Sequence, residues 1–437
     1  MKISVIGAGY VGLVTGAGLA SLGNDVACID IDEGKVANVN SAKAPFLEEG
    51  LDDLLGKVVG ARKLTASKDY SSVSHSEVIL ICVGTPSRSD GSVDLSYVNS
   101  AAAAIGKALA SSKLDFPVVA VKSTVVPGST RSLIPVLERE SGKKAGKHFG
   151  TGMVPEFLRE GSAVDDFFKP DRIVIGALDG KSGSVLKKMH SGLPSVPLVE
   201  TTIETAEMIK YASNSFLATK IGFVNELSRA CERMGMNVDE VARGMGLDSR
   251  ISPHFLRAGP GWGGSCFGKD VKAIVAAQKS IGLRPKILDA VLDSNEEQKK
   301  RMALLLEESL GSGLKGRKIA VLGLAFKAGT DDVRDSPAIA IVRELQSRGA
   351  NAVLFDPAAM PNFKLLFPDA PYAASIEGAL EGADACLIVT EWKQFAIPGV
   401  KFVRLMKNPT VVDSRRILDP ADMKSAGVKY KAVGAGA

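Results

Sequence analysis

Short apolar runs alternate with stretches of helical periodicity through about the first 190 residues of the chain. The runs at 78–83 and 118–121 are apolar at every position, which is typical of parallel strands buried on both faces. Turn-forming residues follow each run, beginning at Gly84 and at Ser123. The alternation of strands and helices predicts an α/β domain with a largely parallel sheet.

The first strand leads directly into a glycine-rich turn. The sequence GAGYVG at 7–12 follows this strand, and after it come an Ala- and Gly-rich helical stretch and a second strand that ends at Asp30. This order and spacing predict a dinucleotide-binding fold. Gly7 makes the turn, Gly9 lets the backbone approach a pyrophosphate, and Gly12 lets the helix pack on the strand.

Polar residues at the carboxyl ends of three strands are the candidate cofactor ligands. Asp30 would accept hydrogen bonds from ribose hydroxyls and repel a 2′-phosphate, so the sequence predicts NAD rather than NADP. Asp32 is a competing candidate for this role. Thr85 and Thr124 follow two further strands and lie where the cofactor is expected. Alternatively, either threonine caps a following helix.

The middle of the chain shows helical periodicity only. A capping box, Thr201 with Glu204, predicts the start of a helix that runs to about Met234. Further helices are predicted over 237–245 and 270–309. This all-helical segment is the expected bridge between domains and the expected dimerisation element of a homodimer.

The last part of the chain restarts the α/β pattern. Its first turn begins at Gly323 and lacks the three-glycine signature, so we expect a different ligand there, or none. The predicted fold class is α/β, with two Rossmann-like domains joined by a central helical segment. The predicted domains are 1–198, 199–312 and 313–437.

A glycine-rich segment at 259–270 presents one cysteine, Cys266. Five glycines within ten residues do not build a core, and glycine is used where a chain turns tightly or approaches a ligand closely. Lys269 and Asp270 follow within one helical turn, and neighbouring positive charge favours the nucleophilic thiolate. The segment predicts a displayed, reactive thiol in a loop. The alternative is a tight turn with an incidental cysteine.

Composition argues against several classes of function. The net charge of +5 is spread along the chain, so we expect no nucleic-acid partner and a preference for anionic cofactors and substrates. No run approaches the ~18 apolar residues of a membrane helix, so no membrane partner is expected. The five cysteines are scattered without zinc-ligand spacing, which predicts no metal site and reduced thiols in the cytoplasm.

Motifs along the whole chain resemble those of the nucleotide-sugar 6-dehydrogenases, the UDP-glucose/GDP-mannose dehydrogenase family. They are GAGYVG at 7–12, PEFLREG at 155–161, KYASN at 210–214, GPGWGGSCFGKD at 259–270, LGLAFK at 322–327 and TDDVRDSP at 330–337. The resemblance implies an NAD-dependent, four-electron oxidation of UDP-glucose to UDP-glucuronate. GDP-mannose is the alternative substrate.

In the implied reaction, the alcohol at C6 of the sugar loses a hydride to NAD⁺ and becomes an aldehyde. The Cys266 thiolate adds to the aldehyde, a second NAD⁺ takes a hydride from the thiohemiacetal, and water hydrolyses the thioester. Lys210 would stabilise alkoxide charge, and its i,i+4 spacing from Asn214 puts both side chains on one helix face. Asp270, with Thr124, would position or activate water.

The resemblance also implies binding roles. Glu156 and Glu160 are acids that contact substrate or water, Lys327 lies on the substrate side, and Arg334 lies on the cofactor side. Arg250 reaches a neighbouring subunit. The further contacts implied for the cofactor are Val11, Lys35, Glu160 and Lys269. Those implied for the substrate are Phe157, Leu158, Arg159, Phe255, Leu256, Arg257, Ala258, Gly259 and Gly263.

Three positions depart from the family pattern: Val154 for Asn or Ser, Trp262 for a frequent Tyr, and Gly268 for a frequent Pro. The last two change the shape or stiffness of the segment around Cys266 and therefore bear on substrate preference.

Two other functions are alternatives to a nucleotide-sugar 6-dehydrogenase. A two-electron hydroxyacid dehydrogenase has no use for the thiol or for a third domain, and a non-catalytic nucleotide-binding protein has no use for the reactive residues.

Overall fold

The computed structural model describes residues 1–436 of the chain. They divide into two compact units. The first unit contains Met1–Ser213 together with Ala276–Ile281, and the second contains Asn214–Val275 and the described residues from Gly282 onwards. The division into three domains at 1–198, 199–312 and 313–437 stays a prediction.

The described residues of the first unit form an eight-stranded sheet. Its order is β3-β2-β1-β4-β5-β6-β7-β8, and neighbouring strands are parallel except β6 and β7. The strands are β1 (Lys2–Ile6), β2 (Asp25–Ile29), β3 (Leu64–Ser67), β4 (Val78–Ile81), β5 (Val118–Val121), β6 (Gly150–Met153), β7 (Ile173–Ala177) and β8 (Leu198–Thr201). Along β5, Val118 and Ala120 join one core cluster while Val119 and Val121 join another. The sheet is therefore buried on both faces, as predicted.

The helices of the first unit connect successive strands. They are α1 (Tyr10–Ser21), α2 (Glu33–Asn40), α3 (Leu51–Gly60), α4 (Ser96–Ala110), α5 (Ser129–Ser132), α6 (Ile134–Ser141), α7 (Ala163–Phe168) and α8 (Gly180–Met189), with a 3₁₀ helix at Tyr70–His75. Because β1 lies between β2 and β4, the strand order reverses there. Ligands of such sheets bind at this switch point, outside the carboxyl ends of the strands.

The predicted central segment is helical, with two corrections. Its helices are α9 (Ile203–Met234), α10 (Val238–Gly246), α11 (Gly264–Ser280) and α12 (Lys286–Leu310). Thr202, not Thr201, caps α9, because its Oγ1 accepts a hydrogen bond from the Thr205 N–H at 3.2 Å. The predicted single helix over 270–309 is wrong, since Gly282 at φ +81° and Pro285 separate α11 from α12. Over residues 1–436, no helix combines the length and apolar character needed to span a membrane.

The described residues of the second unit form a five-stranded parallel sheet of order β10-β9-β11-β12-β13. Its strands are β9 (Lys318–Leu322), β10 (Asn351–Phe355), β11 (Ala385–Ile388), β12 (Thr410–Asp413) and β13 (Lys429–Ala432). The helices after β9 are α13 (Pro337–Ser347), α14 (Met360–Lys364), α15 (Ile376–Leu380), α16 (Gly399–Leu405) and α17 (Pro420–Ser425), with a 3₁₀ helix at Lys393–Phe395. The two sheets, with their helices, confirm the predicted α/β class.

The aspartate that follows β10 accepts hydrogen bonds from other residues of the chain. Asp356 is fully buried, and its Oδ2 accepts hydrogen bonds from the N–H groups of Leu324 and Ala325 at 2.7 and 3.1 Å. The indole N–H of Trp392 donates to the same oxygen at 3.1 Å. This carboxylate is committed to internal donors, which supports the expectation that the turn at Gly323 binds no dinucleotide.

Candidate active site

The glycine-rich turn after β1 is tightly packed at two glycines and open at the third. Gly7 lies at φ +102°, and a β-carbon on it would lie 2.7 Å from the carbonyl oxygen of Cys82. A β-carbon on Gly12 would lie 1.9 Å from the carbonyl oxygen of Gly7. Beyond its chain neighbours, no atom of the described chain lies within 4 Å of a β-carbon on Gly9. Gly9 is the N-cap of α1, with Val11 in the first turn, so this space fits a pyrophosphate.

The two aspartates after β2 have different partners. Asp30 accepts hydrogen bonds from the N–H of Ala8 at 2.7 Å and from the N–H of Asp32 at 3.0 Å. Asp32 caps α2, because its Oδ1 accepts from the N–H groups of Gly34 and Lys35 at 2.9 and 3.1 Å. Asp30 is held against the glycine turn while Asp32 stabilises a helix, which favours Asp30 as the ribose ligand.

Thr85 and Thr124 follow the neighbouring strands β4 and β5. Thr85 is buried and Thr124 is half-buried. The Ser123 hydroxyl donates to the carbonyl oxygen of Val83 at 2.6 Å and ties the two segments together. The helix-capping alternative is wrong for both threonines, because α4 and α5 begin well after them, at Ser96 and Ser129.

A buried ion pair joins Glu156, just after β6, to Lys210 on α9. The Nζ–Oε1 distance is 2.9 Å, and the lysine and glutamate side chains are 4% and 5% exposed. The other carboxylate oxygen accepts a hydrogen bond from the N–H of Leu158 at 2.7 Å. Burial alone would raise the pKa of Glu156, but the Lys210 ammonium, the Leu158 N–H and the Lys122 charge hold that pKa below its ordinary value. A lysine fixed in this way suits the stabilisation of an alkoxide.

The rest of the PEFLREG segment packs on the first unit. The guanidinium carbon of Arg172 lies 3.8 Å from the centroid of the Phe157 ring. Arg159 forms an ion pair with Asp166, with Nη2 and Oδ1 2.5 Å apart. Glu160 is half-buried and begins the turn that leads to α7. The segment therefore holds its acids in place through contacts at several points.

Cys266 lies in the first turn of α11, so its predicted placement in a loop is wrong. The residue is half-buried, and its Sγ lies 3.6 Å from the hydroxyl oxygen of Ser265. The N-terminal turn of a helix carries unpaired N–H groups and a partial positive charge. Such a position favours the thiolate over the thiol.

Asp270, one turn further along α11, contacts two other candidate residues. The Asn214 amide donates to its Oδ2 at 2.6 Å, and the Lys269 ammonium donates to its Oδ1 at 2.6 Å. Asp270 is 1% exposed and Asn214 is 7% exposed. A carboxylate fixed by two donors can orient a water molecule, which is the role that the resemblance implies.

The glycines around Cys266 are packed from the segment after β9. A β-carbon on Gly268 would lie 2.2 Å from Oδ2 of Asp335, and one on Gly263 would lie 2.2 Å from the Asp335 carbonyl oxygen. A β-carbon on Gly264 would lie 2.7 Å from the Phe326 ring. Asp335 itself lies at φ +50°. These contacts explain how a helix forms in a glycine-rich sequence, and why glycine is needed at position 268.

The predicted substrate segment at 255–259 is held mainly by its backbone and by buried side chains. Leu256 and Ala258 belong to the core of the second unit. Gly259 donates its N–H to Asn225 Oδ1 at 2.8 Å and accepts from the Gln298 amide at 2.8 Å. Phe255 lies at φ +62°.

Four cationic candidates of the second unit lie on two segments, one between α10 and α11 and one between β9 and α13. Arg257 donates to the carbonyl oxygen of Arg415 at 2.8 Å. Arg250 is largely exposed and pairs with Asp248 at 2.6 Å. Arg334 donates from Nε and Nη2 to the two oxygens of Asp332 at 2.9 and 2.7 Å. Lys327 is half-buried in the segment between β9 and α13.

Two further residues of the first unit carry features that sequence reasoning missed. Ile31 is 83% exposed directly after Asp30, where an apolar side chain fits a nucleotide base. Lys122 is buried at the end of β5. Burial and the Lys210 charge lower its pKa, although the Glu156 charge acts in the opposite direction. A single isoleucine carries no sequence signal, whereas a lysine that ends a fully apolar run could have been recognised.

The candidate residues form two sets, one in each unit. The first unit holds Gly7, Gly9, Val11, Gly12, Asp30, Lys35, Thr85, Thr124, the 156–160 segment and Lys210. The second unit holds Asn214, Arg250, the 255–259 segment, Gly263, Cys266, Lys269, Asp270, Lys327 and Arg334. Lys210 and Asn214 lie one turn apart on α9.

Comparison with known proteins confirms the resemblance seen in the motifs. Three models of the UDP-glucose/GDP-mannose dehydrogenase family match: the NAD binding domain over residues 1–193, the central domain over 204–297 and the UDP binding domain over 320–420. A UDP-glucose 6-dehydrogenase of Haloferax volcanii is 45% identical, with 96% of this chain and 97% of the relative covered. One of Bacillus subtilis is 42% identical, with 99% and 93% covered. The structure of a UDP-glucose dehydrogenase from Pyrobaculum islandicum has 38% identity and a TM-score of 0.92, with 99% and 98% covered.

Proposed function

The chain belongs to the UDP-glucose/GDP-mannose dehydrogenase family, and from this premise we propose that it oxidises UDP-glucose to UDP-glucuronate with two NAD⁺. The enzyme is an NAD-dependent nucleotide-sugar dehydrogenase. Two relatives at 45% and 42% identity carry the name UDP-glucose 6-dehydrogenase. These relatives support UDP-glucose over GDP-mannose, which stays the second candidate.

The observation that carries the proposal is the position of Cys266. A dehydrogenase that stops at a carbonyl product needs no nucleophile, whereas a four-electron oxidation gains from covalent capture of its aldehyde. The half-buried thiol lies in a helix N-terminal turn, one turn before Asp270. A nucleophile and a group that orients water on one helix match the capture and hydrolysis steps.

Each step uses a side chain of this protein. Lys210, fixed by Glu156, stabilises the alkoxide that forms as the C6 hydroxyl loses its proton. Loss of a hydride from C6 then gives the aldehyde. The Cys266 thiolate forms a bond to the aldehyde carbon, whose oxygen becomes the thiohemiacetal hydroxyl. Loss of a hydride from that carbon leaves a thioester, and water held by Asp270 and Asn214 releases the carboxylate and the thiol. Bound NAD supplies the hydride acceptor for both oxidations.

The residues of the first unit that would hold NAD lie in the glycine-rich turn and after three strands, and Lys269 and Arg334 of the second unit are further candidates. The space at Gly9 fits the pyrophosphate and Asp30 fits the ribose. Thr85 and Thr124 lie at the carboxyl ends of adjacent strands. Asp30 carries the preference for NAD, because its charge repels a 2′-phosphate.

The stoichiometry of NADH formation tests this function. Two equivalents of NADH per UDP-glucose consumed are expected, measured by absorbance at limiting substrate. One equivalent supports a two-electron dehydrogenase, and none supports a protein that only binds nucleotides. Running the assay with GDP-mannose and other nucleotide sugars tests the substrate, and faster turnover of GDP-mannose would overturn the choice of UDP-glucose.

We also propose a cytoplasmic homodimer. Phe216 and Phe223, seven residues apart on α9, are 66% and 50% exposed, so one helix face offers apolar side chains to a second copy. Over the described residues, no disulfide joins any of the five cysteines, which supports a reducing compartment. Sedimentation that shows only a 45.8 kDa species at micromolar concentration would contradict the dimer.

A further inference from the structure

A buried carboxylate outside every predicted motif lies between two of them. Glu48, in the segment between α2 and α3, is 6% exposed. Its two partner segments are the glycine-rich turn after β1 and the end of the PEFLREG segment. All three segments belong to the first unit.

Both oxygens of Glu48 accept hydrogen bonds. The N–H of Gly161 donates to Oε2 at 2.6 Å, and the N–H of Ala163 donates to Oε1 at 2.6 Å. The Tyr10 hydroxyl also donates to Oε2. The Gly161 N–H lies 2.9 Å from the Tyr10 hydroxyl oxygen as well, so the four groups form one network. Hydrogen bonds to a carboxylate are about twice as strong as those between neutral groups.

On the cofactor side, the network begins at the residue after Gly9. Tyr10 is the first residue of α1, and its ring centroid lies 4.9 Å from that of Phe46. Burial raises the pKa of the Tyr10 hydroxyl, and the adjacent Glu48 carboxylate raises it further. The hydroxyl therefore keeps its proton and remains a donor, so the turn that holds the pyrophosphate is tied to Glu48.

On the substrate side, the network fixes the end of the segment that carries Glu156 and Glu160. Gly161 lies at φ +79°, and Ala163 begins α7, whose N-cap side chain makes no capping hydrogen bond. Glu48 supplies the missing acceptor from 115 residues away. The segment is thus held by the ion pair with Lys210 at Glu156 and by Glu48 at Gly161, and Glu160 lies between these two points.

We propose that Glu48 is a positioning residue that couples the dinucleotide turn to the substrate segment 156–161 through Tyr10 and Gly161. The inference rests on the proposed function, since it concerns the acids assigned to UDP-glucose. NADH binding at the turn would order the segment, and by reciprocity UDP-glucose binding would strengthen the binding of NADH. Glu48 itself touches neither ligand in this account.

The test is Glu48→Gln, with the exposed neighbour Glu49→Gln as the matched control. A glutamine keeps one acceptor oxygen but turns an NH₂ group toward an N–H donor. Hydrogen exchange of the peptide at 155–163 is measured with and without NADH, together with kinetics for UDP-glucose. In the wild type and in Glu49→Gln, NADH should slow the exchange. In Glu48→Gln that slowing should disappear, and kcat/KM for UDP-glucose should fall about tenfold to a hundredfold, while NADH still binds.

Unchanged NADH-dependent protection and unchanged kcat/KM in folded Glu48→Gln would overturn the proposal. If Glu48→Gln does not fold, Tyr10→Phe tests the same link, because it removes one donor and keeps the ring. That variant should lose part of the NADH-dependent protection, and full protection would count against the coupling. Failure of the wild type to oxidise UDP-glucose would instead refute the proposed function, while the exchange experiment with NADH would still decide the role of Glu48.

Discussion

Removal of the Lys210 ammonium is predicted to destabilise the first unit strongly. Lys210→Met leaves Glu156 buried, with its side chain 5% exposed and its ion pair of 2.9 Å lost. Breaking a buried pair by removing one partner costs about 3–5 kcal/mol, because an uncompensated charge stays behind. The Leu158 N–H and the Lys122 charge still favour the carboxylate, so we expect about 3 kcal/mol, the lower end of that range.

The stability loss in Lys210→Met should be larger at neutral pH than at acidic pH. In the wild type the folded-state pKa of Glu156 lies below its unfolded value. The ionised Glu156 therefore contributes to folding stability above the unfolded pKa, and this contribution is lost as pH falls through the folded pKa. Without Lys210, burial dominates and raises the folded pKa above the unfolded value. The loss in free energy of unfolding of Lys210→Met, relative to the wild type, should therefore grow as pH rises from about 4 to 7.

Urea unfolding at several pH values measures this loss, and hydrogen exchange of β6 assigns it to the first unit. The control is Lys187→Met, which removes an exposed pair of the same 2.9 Å length with Glu200 and should cost at most about 1 kcal/mol. The double variant Lys210→Met/Glu156→Gln should recover part of the stability. A loss below about 1 kcal/mol in Lys210→Met, or a double variant less stable than the single one, would refute the reasoning.

Three further outcomes are expected. Asp30→Ala should weaken NAD⁺ binding more than NADP⁺ binding, and an unchanged preference in titrations would exclude Asp30 as the ribose ligand. Gly268→Ala should lower kcat, because its methyl group would lie 2.2 Å from the Asp335 carboxylate. The double variant Gly268→Ala/Asp335→Ala should unfold at a higher temperature than Gly268→Ala alone. An equal or lower unfolding temperature would count against this clash. Burial lowers the pKa of His190 to about 4, so melting temperature should fall as pH drops from about 6.5 toward 4. His190→Gln should flatten that slope, and an unchanged slope would exclude His190 as its cause.

The sequence alone predicts those parts of the candidate site whose residues lie close together along the chain. The strand, the turn at Gly7 to Gly12 and the acid at Asp30 follow one another within a single supersecondary unit, so their arrangement could be predicted without a structure. The same holds for the all-apolar run of β5, which is buried on both faces.

What could not be predicted depends on distant contacts. The helix at Cys266 forms in a sequence with poor helix propensity because Phe326 and Asp335 pack against its glycines. Glu48 has no local signal, since its partners Tyr10 and Gly161 lie 38 and 113 residues away. Hydrogen-bond networks of this kind become visible only when the chain is folded.

Cys266→Ser tests the central claim, covalent capture of the aldehyde, most directly. The side chain keeps nearly its shape, so affinities for UDP-glucose and NAD⁺ should change by less than about tenfold, or roughly 1.4 kcal/mol. A serine hydroxyl is far less acidic than a thiol and a poorer leaving group, so turnover should fall by several orders of magnitude. Intact mass spectrometry after incubation with UDP-glucose and NAD⁺ should show unreacted protein or a persistent glucuronyl ester. Normal turnover to UDP-glucuronate by this variant would mean that the aldehyde is oxidised as its hydrate, and would contradict the role assigned to Cys266.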